Sequence, residues 1–317
     1  MIDRVVEVAR PARLSVRDAQ LVVACEGTPE VATPLAELAV LLLAHPQVTL
    51  SQAVLSRIAE QGGSVVTIDA KYLPAAMLLP VVAHWRQTAR FAAQLNLSLP
   101  LRKRLWQRMV KAKIRAQGEL LRELHGSDDG LVAMAARVRS GDPDNLEAQA
   151  ARRYWMLVFA NGGGRNKFRR GADMALDGLD QNQHLDYGYT VLRAAVARAI
   201  CAAGLHPTMG LQHSNREDAF CLASDLMEQF RPLVDRRVYR WIQQHDPAQR
   251  LDARAKGWLI ETVTARYVSD GEDRSLFDIL ARSASSLARA MLGGEAEAFE
   301  PPSLLAESPA PQRERQP

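Results

Sequence analysis

Apolar positions change period once along this chain. Up to about Asp69 they form short β-branched runs: Val5-Val6-Glu7-Val8, Leu21-Val22-Val23, Leu38 to Leu43 and Val65-Val66-Thr67-Ile68. Turn formers such as Gly27-Thr28-Pro29 and Gly62-Gly63 part them, as expected of strands. Ser51 to Glu60 breaks the pattern, because Val54, Leu55 and Ile58 recur at helical spacing behind a Ser51 N-cap. Beyond Pro80, Ala, Leu, Arg and Gln replace the β-branched residues and recur three and four apart, which marks helices. Helices are predicted over Val81–Leu95, Leu101–Leu124, Asp129–Arg139, Asn145–Ala160, His184–Ala203, Arg216–Phe230, Arg236–Gln244, Leu251–Val268 and Leu276–Leu292. Asp142 caps the fourth of these ahead of Pro143, and Gly204 with Pro207 stops the fifth.

The expected fold is therefore α+β, with a small β-rich N-terminal domain over residues 1–80 and a larger all-helical domain over 81–292. From 293 to 317 the Gly, Glu, Pro, Ser and Arg content is too poor in apolar surface to offset ordering, so this segment is expected to be a disordered tail. No internal repeat is evident. Composition narrows the picture only slightly: 317 residues suit two domains, and a formal net charge of +4 tolerates an anionic partner without demanding one. Cys25, Cys201 and Cys221 are odd in number and far apart, unlike a disulfide framework or a zinc ribbon. With no signal-peptide pattern at Met1-Ile2-Asp3-Arg4 and no apolar run of ~18 residues, the expectation is a soluble, cytoplasmic protein that makes no membrane contact.

Charge is more informative locally. Between Asp69 and Glu119 there is no acid, yet Lys71, Arg86, Arg90, Arg102, Lys103, Arg104, Arg108, Lys111, Lys113 and Arg115 fall there. Helical ion pairs cannot neutralise such a stretch from within, which favours phosphate binding over a merely solvated face. Trp85, Phe91 and Trp106 are interleaved and could enter the core or support bases. A second cluster, Arg165, Lys167, Arg169 and Arg170, follows Gly162 to Gly164; lacking a preceding strand and a Gly-Lys-Ser/Thr ending, it is no P-loop.

Candidate chemistry lies further on. Asp225 and Glu228 are three apart on an apolar helix, so both carboxylates could reach one cation, or one could bind while the other orients it. His213 precedes that helix by a short polar loop, and the helix after Asp142 could bring Glu147 from far away. Oxygen ligands with a single imidazole and no thiolate suit Mg2+ or Mn2+ better than structural zinc. Asp235, followed by Arg236 and Arg237, reads as a cap or ion-pair partner.

Five segments carry a resemblance across nearly the whole chain to residue 292: Asn145-Leu-Glu-Ala-Gln-Ala-Ala-Arg-Arg-Tyr-Trp155, Leu185-Asp-Tyr-Gly-Tyr-Thr-Val-Leu192, Gly204-Leu-His-Pro207, Gly210-Leu-Gln-His213 and Asp225-Leu-Met-Glu-Gln-Phe-Arg-Pro-Leu-Val-Asp235. Together they resemble the integrase and endonuclease family that acquires spacers in CRISPR systems, in its type II form. The resemblance implies an N-terminal β-rich domain, a helical catalytic domain and a divalent metal held by Glu147, His213 and Glu228, with Asp225 as a neighbouring acid. It implies a homodimer, with dimerisation expected of the N-terminal domain, and a small ferredoxin-like CRISPR adaptation partner. The implied reaction inserts short double-stranded DNA, the spacer precursor, into the repeat by 3′-hydroxyl attack on a phosphodiester. Two positions depart from the family pattern: Gln229 stands where Pro is expected and Gln212 where a second His is common. Tyr187 or Tyr189 reads as packing or support for the site and Trp155 as core. The competing readings are a metal nuclease for branched repair DNA and a non-catalytic DNA-binding scaffold.

Overall fold

The structure is a computed structural model that describes residues 4–68, 74–80, 84–160, 170, 181–212, 218–245, 251–303 and 306–308. Its N-terminal part holds β1 (Arg4–Val8), β2 (Ala12–Arg17), β3 (Gln20–Ala24), β4 (Val31–Pro34), β5 (Leu38–Leu43), β6 (Val48–Leu50), α1 (Gln52–Glu60), β7 (Ser64–Ile68) and β8 (Pro74–Leu78). These make two four-stranded sheets, ordered β1-β5-β7-β8 and β4-β3-β2-β6. β5 reads Leu-Ala-Val-Leu-Leu-Leu, apolar at every position, as a strand covered on both faces must be. It runs parallel to β1 and β7 on either side. Leu41 and Val65 pack with Leu14, Leu21, Val54 and Ile58 of the second sheet and α1. Val40, Leu42 and Val66 belong instead to the core of the helices.

The helices are α2 (Gln87–Leu95), α3 (Leu99–His125), α4 (Leu131–Arg137), α5 (Leu146–Leu157), α6 (Gln181–Ala202), α7 (Cys221–Met227), α8 (Arg231–Gln244), α9 (Ala253–Thr264) and α10 (Leu276–Gly293), with a single 3-10 turn at Glu228–Phe230 between α7 and α8. α3 starts where the Ser98 hydroxyl accepts from the Leu101 N–H and stops at Gly126, whose φ of 80° only glycine adopts readily. α6 is apolar almost all round and runs through the core, touching α8, α9 and α10. A Cβ on its Gly188 would meet Val234 Cγ1 at 2.5 Å, so the bare glycine lets α8 approach. Two polar ties join the sheet to this part: Arg198 Nε donates to the Gly62 carbonyl, and Lys256 pairs with Glu7 at 3.5 Å. Among the described residues no helix is long and apolar enough to cross a membrane.

The second part is mostly rather than wholly helical. The helix expected through Val268 ends at Thr264, and β9 (Arg266–Ser269) turns into β10 (Glu272–Ser275). Asp270 and Gly271 at φ 53° and 79° form the turn, and this Asp-Gly pair is the hairpin signal that the apolar spacing of Leu259, Val263 and Val268 obscured. The segment beyond Gly293, expected to lack order, instead packs through residue 303 with Phe299 fully buried. It then adds β11 (Ala306–Glu307) to β9. One aromatic inserted into a pocket outweighed a composition averaged over the segment; residues 309–317 lie outside the described part. α8 also begins earlier than expected, at Arg231 with Pro232 in its first turn, which puts Asp235 inside the helix rather than at its cap.

Candidate functional site

Three elements meet around one lysine. The apolar stripe of α3 runs through Leu105, Met109, Val110, Ile114 and Leu121, and Lys113 lies on it, only 9% exposed. α5 supplies Glu147 in its first turn. Asn145 at φ 52° turns the chain into the helix, and the Asp142 carboxylate accepts from the Leu146 and Glu147 N–H groups, each at 2.9 Å. Asp142 thereby performs its expected capping from three residues before Asn145. The 3-10 turn supplies Glu228, 4% exposed.

Lys113 Nζ lies 2.7 Å from Glu147 Oε1 and 2.5 Å from Glu228 Oε2. Arg231, one turn on, holds Glu228 Oε1 at 3.0 Å. Burial works against the Lys113 ammonium, but Glu228 and then Glu147 outweigh it and hold its pKa above the ordinary lysine range. Arg231 behaves alike: burial lowers its pKa and Glu228, Tyr189 and Asp235 raise it further. Two acids far apart in sequence are thus drawn to one buried cation, Glu228 itself buried and Glu147 27% exposed at its side chain.

The other expected ligands are placed differently. Asp225 is fully buried, and its Oδ2 accepts from the Leu211 and Gln212 N–H groups at 2.5 and 3.1 Å, fastening to α7 the loop that leads to His213. His213 itself lies outside the described residues. Gln229 is buried, with its amide toward Leu226 O and Ser283 Oγ of α10. Gln212 gives its N–H to Asp225.

Behind Arg231 sits a second cluster that sequence reading missed. Asp235 accepts from the Tyr154 hydroxyl at 2.6 Å and from the Tyr189 hydroxyl, joining α5, α6 and α8. Burial pushes its carboxyl up to about 6, although both hydroxyls and Arg231 favour the charged form. The Arg231 guanidinium stacks over the Tyr189 ring, 4.7 Å from its centroid. Tyr189 therefore supports the site through Asp235 and Arg231, whereas Trp155 packs against Tyr154 and Phe159. Only a lysine falling on the apolar stripe of α3, rather than among its exposed cations, could have marked Lys113 in advance.

Carboxylate oxygens converging on one cationic position suit Mg2+ or Mn2+ in kind. Among the described residues no three His, Cys, Asp or Glu side chains gather closely enough to hold an ion. Glu147 and Glu228 are the described pair, and Asp225 is occupied by backbone N–H groups.

The candidate phosphate-binding cations divide by environment. Arg86 is exposed over Trp85, itself 82% exposed, while Lys103 and Arg104 face solvent and Arg102 is half-buried. Arg90 is tied to the Ala203 carbonyl at 2.5 Å and Arg108 to the Phe299 carbonyl at 2.9 Å. Arg108 and Lys111 also line a cleft of roughly 580 Å3 with Arg115, Arg236 and Pro301. Trp106 is buried in the core. Arg165, Lys167 and Arg169 lie outside the described residues.

Comparison with known proteins supplies the context. The family model described as CRISPR associated protein Cas1 matches residues 7–261. The chain is 33% identical over 296 residues to the CRISPR-associated endonuclease Cas1 of Neisseria meningitidis serogroup C, covering 92% of this chain and 93% of that protein. A casposase bound to its integration product shares the fold with a TM-score of 0.69 at 17% identity, over 92% of this chain and 90% of that one. A Cas6-RT-Cas1–Cas2 complex superposes with a TM-score of 0.71 at 20% identity, over 94% of this chain and 36% of the longer partner.

Proposed function

This chain belongs to the Cas1 family of CRISPR-associated proteins, and from that membership we propose that it is a metal-dependent DNA endonuclease and integrase of CRISPR adaptation. One observation carries the reading: Glu147 and Glu228, on different elements, converge on a single, largely buried cation. Glu147, Glu228 and His213 would hold Mg2+ or Mn2+, which when bound supplies Lewis-acid stabilisation of charge at the attacked phosphate. Arg231 keeps one Glu228 oxygen oriented, and Asp225 secures the loop that precedes His213.

The 3′ hydroxyl of a short duplex attacks a phosphodiester of the repeat, losing its proton as the displaced 3′ oxygen of the repeat strand gains one. No covalent enzyme intermediate is required, so the chain's task is to position two DNA segments and to stabilise charge. Arg86, Lys103 and Arg104, exposed on and just before α2 and α3, are suited to phosphate contact. We further assign a homodimer and a small ferredoxin-like partner; the related casposase carries an integration product and a related Cas1 is found with Cas2. The place of work is the cytoplasm.

The test is strand transfer into a supercoiled repeat-bearing plasmid, with short 3′-hydroxyl duplexes and the partner present. Glu147→Ala and His213→Ala are each expected to lower it by at least ~10²-fold while leaving DNA affinity within a few-fold. Cutting without joining would reduce the activity to that of a nuclease for branched DNA, and unchanged transfer in both variants would remove these residues from the site.

A further inference from the structure

We propose that Lys113 is a built-in counter-ion that makes metal binding conditional on DNA. Its ammonium bridges Glu147 Oε1 and Glu228 Oε2, the position between two carboxylates that a shared ion would take. The inference rests on these acids being metal ligands, as read above. An alkyl side chain of similar length would fill the stripe of α3 beside Met109 and Ile114 equally well. What only a cation does there is hold two facing carboxylates together.

Charge supplies the condition. Among the described side chains, the two carboxylates of Glu147 and Glu228 face two cations, Lys113 and Arg231, with Asp235 behind Arg231. A divalent ion entering beside cations already paired with these carboxylates would add two positive charges to a largely buried place, which is unfavourable unless an anion arrives too. The phosphodiester of DNA is that anion. Ion and DNA therefore bind more tightly together than either does alone, and each strengthens the other by the same factor. Without Lys113 the place carries one positive charge fewer, both before and after the ion arrives. The ion then enters without DNA.

The experiment titrates Mn2+ into the full chain, reading free ion by electron paramagnetic resonance, with and without a short duplex bearing 3′ hydroxyls. In the wild-type protein the duplex tightens Mn2+ binding about ten-fold or more. Lys113→Met binds Mn2+ about ten-fold more tightly than wild type in the absence of DNA, and the duplex adds less than about three-fold. Lys113→Arg keeps the charge and follows wild type. Lys113→Gln is carried alongside should the methionine variant not fold, with the same expectation as methionine. Without metal, the neutral variants melt below wild type and Mn2+ restores them, a response that a packing role would not produce. Equal DNA-free affinity in wild type and neutral variants overturns the inference and leaves the metal reading standing, as does Lys113→Arg behaving like Lys113→Met. Failure of wild type to bind Mn2+ even with DNA overturns both.

Discussion

Asp235 shows how a residue set behind the facing carboxylates conditions Arg231, which holds one of them. Its carboxyl, pushed up to about 6 by burial, binds a proton more tightly in the folded chain than in the unfolded one, where the ordinary value is ~3.9. The stability it contributes is therefore full below about 4 and is lost as pH rises through about 6. Relative to Asp235→Asn, the wild-type protein is expected to gain about 1–1.5 kcal/mol between pH 7.5 and pH 5 in urea unfolding. A gap that stays constant with pH would mean the carboxyl titrates in the ordinary range. At this scale the sequence was a partial guide. The acids Glu147 and Glu228 became legible through the family resemblance, since spacing alone left Asp225 and Glu228 interchangeable. Lys113 was hidden among nine other cations of an acid-free stretch, and the tyrosine pair of Asp235 depends on three helices whose packing no local pattern encodes.

Among the elements, α6 and α8 depend on an absence. Gly188 lets Val234 approach to a distance that a methyl group would forbid, and the same contact keeps Tyr189 and Asp235 in register. Gly188→Ala improves helix propensity by about 1 kcal/mol, yet overpacking is expected to make it destabilising by about 1–3 kcal/mol net. Adding Val234→Ala should recover part of that loss, a coupling of at least about 0.5 kcal/mol in a double-mutant cycle followed by thermal melts. Strict additivity would show that the helices simply separate. Long elements with strong periodicity, α3 and α6 above all, were readable within a few residues of their ends. The β9–β10 hairpin was not, because apolar residues of α9 and β9 fall at spacings a helix also allows, and only Asp270-Gly271 spoke against it.

Over the whole molecule, the segment after α10 acts as a strap. Phe299 is buried, Arg108 of α3 binds its carbonyl, and Glu307 pairs with Arg237 and Arg240 of α8. Ending the chain after Gly294 would empty the Phe299 pocket and leave Arg237 with Glu261 but without Glu307, and is expected to reduce stability by about 3–5 kcal/mol, read as a lower denaturant midpoint. An unchanged midpoint would make the strap dispensable. The sheet of β1, β5, β7 and β8 matters at this scale as well, since Val40, Leu42 and Val66 on one of its faces are packed into the core of the helical part that bears Glu147 and Glu228. Strand-rich and helical parts are consequently not exchangeable parts. A recombinant joining the first 80 residues of one relative to the remainder of another would set a foreign sheet face beneath α6, and substitutions on either side of that seam have to be matched by their neighbours across it.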